Sequence, residues 1–163
     1  AADRARAVLQ EHGVRSALIA AGGNIWTVGT RPDGEKWRIG IRHPRPETGS
    51  EVLAVLPNQD LTLVTSGDYE RFFVKDGVRY HHIFDPRVGR PARDLISATI
   101  VGTNSAKADI LSTAVFVLGP EKGLALAAKA GITKALVVTP DLQVFTAGEN
   151  LPELELVNEE GNG

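Results

Sequence analysis

A chain of 163 residues with 42% hydrophobic and 23% charged side chains has the size of one domain with a real buried core. Its net charge of -2 gives no global reason to expect nucleic acid as a partner, and the absence of cysteine excludes disulfides and thiolate chemistry. The longest apolar stretches, such as Ala114-Val115-Phe116-Val117-Leu118, are too short to span a bilayer. There is no methionine even at position 1, so the expectation is a processed product or a piece of something longer.

Residues 1–12 read as a helix, because Ala5, Val8 and Leu9 fall at helical spacing and Gly13 is a natural stop. Residues 14–21 form a short apolar run ending in Gly22-Gly23, a strand feeding a tight turn. Further strands are expected at 37–41 and 52–56, separated by a Pro-, Gly- and charge-rich loop at 43–50. Residues 60–65 alternate as a strand does. The clearest hairpin runs from Tyr69 to Phe84 around Asp76-Gly77, which supplies the positive φ that such a turn needs.

Pro86, Gly89 and Pro91 rule out a central strand over 85–91. Residues 97–101 make another strand. Ser105 then reads as the N-cap of a helix to about Leu118, which Gly119-Pro120 stops before a second helix over 121–130. Residues 133–138 and 142–146 form a last hairpin, and 149–163 are an acidic, turn-rich tail with a frayed end. The resulting class is α+β, a mixed and mostly antiparallel sheet with helices packed on it.

Two segments carry chemistry. On a helix, Asp109 and Thr113 project from one face, and Ser112 flanks them. Hard oxygens so arranged suit Mg²⁺ if a phosphate-bearing ligand completes the shell. The competing reading is a solvated Asp with Thr113 bonded back to its own helix. His81 and His82 point to opposite faces of a strand, so at most one can face a site. Nearby Arg79, Arg87, Arg90 and Arg93 make a basic setting that suits a diphosphate, or simply a solvated strip. Gly22-Gly23 reads as a tight turn or a phosphate-approach loop, and Ser66 as an Asx/Ser turn residue or a ligand contact. Trp26 and Trp37 read as packing residues.

The chain resembles the ApbE-type flavin transferase family, in its C-terminal portion. The matching stretches are Ala20-Ala21-Gly22-Gly23-Asn24, Thr65-Ser66-Gly67-Asp68-Tyr69-Glu70-Arg71, His82-Ile83-Phe84-Asp85-Pro86, and Ala108-Asp109 with Leu111-Ser112-Thr113-Ala114. The resemblance implies a bacterial, extracytoplasmic, membrane-associated enzyme. It would bind FAD with Mg²⁺, move FMN onto a Thr or Ser hydroxyl of an acceptor protein and release AMP. By position, His82 matches the acid/base histidine and Asp109 and Thr113 match metal ligands, with Ser112 a third. Gly22, Gly23, Ser66, His82 and Ile83 fall on the cofactor side, Ile83 where the strand backbone meets the flavin. Val88 stands where the family pattern usually has Thr.

On this reading residues 1–148 are the C-terminal portion of a flavin transferase domain, its upstream part lying outside the sequence or in a separate N-terminal piece. FAD and an acceptor protein are the expected partners. A flavin-binding or scaffolding domain without turnover and an Mg²⁺-dependent FAD diphosphatase are the alternatives.

Overall fold

The computed structural model describes residues 1–45, 51–148 and 154–157. The chain opens with helix α1 (Ala2–Glu11), then strands β1 (Ala17–Ala21), β2 (Asn24–Val28), β3 (Trp37–Arg42), β4 (Val52–Asn58) and β5 (Thr62–Gly67). A ribbon β6 (Phe72–Lys75) and β7 (Val78–His81) follows, then the short pair β8 (Phe84–Asp85) and β9 (Arg90–Pro91). Strand β10 (Ser97–Gly102), helix α2 (Ser105–Lys129), β11 (Lys134–Val138), β12 (Val144–Ala147) and β13 (Glu155–Leu156) complete it.

Six strands form the main sheet in the order β1-β2-β5-β10-β11-β12, antiparallel at every pairing. The expected α+β class is what the structure has. Strand alternation then builds two cores. Val64, Ala98, Ile100, Ala135 and Val137 lie in one cluster with Ala108, Leu111, Val115 and Phe116 of α2. Leu63, Val101, Leu136 and Val138 lie in the other, with Ile39, Ile41, Ala54 and Leu56 of the smaller sheet β13-β4-β3. The molecule is therefore three layers, with helix α2 and the small sheet on opposite faces of the six-stranded sheet.

Taken end to end, helix α2 alone among the described residues passes for a bilayer-crossing helix by length and composition, which its short apolar runs do not suggest, but it is broken at Gly119 and spends its apolar face on the sheet. Inside it Gly119 leaves helical geometry (φ 79°, ψ -179°) ahead of Pro120, so the expected two-helix reading holds in substance. That backbone region is essentially open to glycine alone. A Cβ at Gly119 would also stand 3.1 Å from Asp94 Oδ2.

Two local expectations need correction, and one strand was not expected. The N-cap of α2 is Asn104, whose side chain accepts from the Lys107 amide, and not Ser105. Residues 24–28 form a strand, since the two-residue turn at Gly22-Gly23 returns the chain directly onto β1. Within the tail, Glu155–Leu156 pairs with β4, and Glu155 makes a two-pronged ion pair with Arg38 at 3.2 and 2.7 Å. The last few residues, where a frayed end is expected, and the loop residues 46–50 lie outside the described residues.

Candidate functional site

Helix α2 is held at its start by groups far away in sequence. The Asp3 carboxylate accepts from the amides of Ser105 (2.8 Å) and Ala106 (3.0 Å) and from Trp26 Nε1 (2.9 Å). Unpaired amides at a helix N-terminus carry partial positive charge, so an acidic side chain satisfies and neutralises them together. Burial works against the charge, but those three hydrogen bonds outweigh it and hold the carboxyl below the ordinary carboxylate range. Asn24 Nδ2 donates to Ser105 Oγ at 2.9 Å, which brings the Gly22-Gly23 turn beside the same helix start. Both glycines have positive φ (61° and 89°), as a tight hairpin turn requires. The turn geometry accounts for them, and no ligand contact is needed to explain their presence.

One turn on, the carboxylate and hydroxyl groups sort by exposure. Asp109 and Thr113 are exposed, whereas Ser112 is fully buried. Ser112 Oγ donates to the Asp109 carbonyl at 2.9 Å and lies 2.8 Å from Ser66 Oγ of β5. Ser66 Oγ is also 3.1 Å from Thr113 Oγ1. Ser66 and Ser112 therefore pin the helix to the sheet, and the Ser112 proton is committed to the Asp109 carbonyl. Asp109 and Thr113 stay exposed one helical turn apart, the Thr113 hydroxyl sharing Ser66 with the buried serine. This donor set is all hard oxygen and far short of a full shell, which fits a small hard cation that keeps waters and phosphate oxygens. Among the described residues no group of three His, Asp or Glu side chains could hold a metal unaided.

The two histidines divide as strand alternation requires. His81 is buried, its ring edge-on to Phe116 of α2 with centroids 5.6 Å apart. The Ile83 amide donates to His81 Nδ1 (3.3 Å), so the proton sits on Nε2, which donates to the Ala92 carbonyl (2.8 Å). The Ala92 amide in turn donates to the Ile83 carbonyl at 3.0 Å. Ile83 is buried, and both of its backbone groups are occupied, leaving one carbonyl lone pair for a ligand.

His82 is exposed. Its amide donates to the Arg71 carbonyl at 3.1 Å, and its Nδ1 lies 3.3 Å from the same oxygen. A carbonyl can only accept, so Nδ1 carries the proton and Nε2 is free to take one. A cleft of about 430 Å³ opens here, lined by Arg71, Phe73, Tyr80, His82, Phe84 and Arg90 among others. Asp109, Ser112 and Thr113 do not line it. The link between the two groups of residues is the His81–Phe116 contact, which seats the histidine strand on the helix that carries Asp109.

Neighbouring motif residues have structural work. Asp68 is buried and grips Arg45 through both oxygens, at 2.8 and 2.6 Å. Gly67 leaves room for the Tyr69 ring, which an added Cβ would meet at 2.5 Å. Asp85 binds the Arg87 guanidinium and accepts from the Arg87 amide, and this holds its carboxyl below the usual range. Sequence reasoning missed Asp3, whose partners lie on other elements and leave no local signal; it set His81 on the face away from His82 without giving it a partner.

The sequence profile of the ApbE family matches residues 1–137. A FAD:protein FMN transferase from Treponema pallidum is 43% identical over 152 residues, covering 88% of this chain and 42% of that protein. The crystal structure of the ApbE protein from Thermotoga maritima superposes with a TM-score of 0.80 at 36% identity, over 91% of this chain and 48% of that one. The apo form of the Pseudomonas stutzeri flavinyl transferase ApbE gives 0.71 at 38% identity, over 90% of this chain and 45% of that one. The chain thus spans less than half the length of these relatives.

Proposed function

The chain belongs to the ApbE family, and from that premise we propose that it supplies one wall of an Mg²⁺-dependent FAD:protein FMN transferase site. In this reading a Thr or Ser hydroxyl of an acceptor protein attacks the FMN phosphorus of FAD. A new P–O bond forms, the bond to the AMP phosphate breaks, and AMP leaves with the electron pair. His82 Nε2 takes the hydroxyl proton, a role its fixed tautomer suits. Asp109 and Thr113 would hold Mg²⁺, which when bound neutralises charge building on the diphosphate.

The observation that supports this best is the locked turn of α2. The Ser112 hydroxyl bonds Ser66 and the Asp109 carbonyl, Thr113 Oγ1 meets the same Ser66, and Asp109 and Thr113 remain exposed on the turn so held. A helix merely covering a sheet gains nothing from that sorting.

The test is to incubate the intact native protein with FAD, Mg²⁺ and a Thr-bearing acceptor, measuring AMP and acceptor mass together. Equal amounts of AMP and flavinylated acceptor are expected. AMP without flavinylated acceptor would replace transfer by FAD hydrolysis, and neither product would leave a binding domain.

A further inference from the structure

The β6–β7 ribbon leaves the main sheet with no third strand on either edge among the described residues. Its cross-strand pairs are Phe72↔His81, Phe73↔Tyr80 and Val74↔Arg79, so Phe73 and Tyr80 share one face and Phe72, Val74 and Arg79 the other. The first face is the wall of the His82 cleft. There Phe73 and Tyr80 stack with centroids 5.2 Å apart, and the Arg93 guanidinium lies 5.8 Å from the Tyr80 ring. Phe73 is 62% exposed and Phe84, further along, 55% exposed, unusual for large apolar rings beside a polar site.

Charge on this face is one-sided. Arg71 and Arg90 line the cleft, Arg93 stands over its tyrosine, and no carboxylate lines it. Among the described residues none of these three guanidiniums lies within ion-pair distance of a carboxylate. Phe73 and Tyr80 lie on the open-edged ribbon, and Phe84 and Arg90 of the β8–β9 pair carry the same wall onward, an elongated surface of the kind an extended peptide covers. A compact diphosphate would want its donors converged on one point.

We infer that this face docks an extended, acidic segment of the acceptor protein, carrying its hydroxyl to His82. The inference rests on the transferase reading and adds where the acceptor sits and what chemistry it presents. Carboxylates of the segment meet Arg71, Arg90 and Arg93, its apolar side chains cover Phe73 and Phe84, and its backbone runs along a free ribbon edge.

The experiment measures FMN transfer by the intact native protein, at saturating FAD and Mg²⁺, against acceptor concentration. Arg71→Glu and Arg90→Glu, singly and together, should raise the acceptor KM about tenfold or more, with kcat and FAD affinity kept. Arg79→Glu makes the same charge change on the opposite face of the ribbon and should leave KM unchanged. Arg90→Gln, a milder change, guards against misfolding and should give a smaller rise. An unchanged KM in the Arg71 and Arg90 variants overturns the inference. So does a matching loss of FAD affinity, which would give the cleft to the nucleotide, or an equal effect of Arg79→Glu, which would leave only net charge. A parental protein that transfers no FMN defeats the transferase reading itself, an outcome separate from all of these.

Discussion

The His81 imidazole donates from Nε2 to the Ala92 carbonyl at 2.8 Å while receiving the Ile83 amide on Nδ1. Only the neutral ring can do both. Burial lowers its pKa from the ordinary 6.5, against the opposing pull of the Ala92 carbonyl and of Asp68. The unfolded chain therefore binds this proton more readily than the folded one, and stability rises with pH across that window. We predict that unfolding midpoints in urea fall from about pH 7.5 to about pH 5.5, and that His81→Gln flattens this dependence while costing about 1–3 kcal/mol at neutral pH. An equally steep dependence in the variant would assign the effect to another group.

Replacing His82 by alanine should leave FAD affinity in place and lower FMN transfer by about 10² to 10⁴. Its side chain is exposed, so stability should change little. Flavin fluorescence quenching reports binding, and acceptor mass reports transfer. Unaltered transfer would remove His82 from proton movement.

Neighbours in α2 should separate cleanly. Thr113→Val and Asp109→Ala should each weaken Mg²⁺ binding, read by calorimetry with FAD present, by about tenfold or more. Ser112→Ala should instead cost about 1–2 kcal/mol of stability, because Ser66 loses its buried partner. If Ser112→Ala weakens the metal as much as Thr113→Val, the buried serine is a ligand after all.

Asp3→Ala strips the acceptor from two amides at the start of α2 and from the Trp26 indole. A loss of about 2 kcal/mol in urea denaturation is expected. The carboxyl is held below its ordinary value of 3.8, so its contribution is present at neutral pH and lost as the solution is acidified below that value. Asp3→Asn, which keeps the shape, should remove most of that acid sensitivity.

Much of this was legible in the residues because the signals were local. The Asp76-Gly77 hairpin, the Gly119-Pro120 interruption and the exposed Asp109–Thr113 pair each follow from spacing or backbone chemistry within a few positions. What escaped depends on distant partners. Strand β13 exists through pairing Leu156 with Ala54, and the anchor of α2 is Asp3, an acidic residue in a helix first turn with an unremarkable local setting. Alternation placed the two histidines on opposite faces, yet nothing in the sequence reveals that the inward one fastens Ile83 to Ala92. The strand at 24–28 was overlooked because a pair of glycines draws attention to the loop and away from the return strand it makes possible.

Gly119 divides α2 mechanically. Its peptide interrupts the ladder of hydrogen bonds, so fraying that enters from Lys129 has no continuous path to Thr113. Amides on the two sides should exchange with deuterium as two populations, and ligand loading should slow only the first. The terminal half is then held by its own packing, through Ala127, Leu124 and Leu126, and not by a hydrogen-bond ladder continuous with the Asp109 turn.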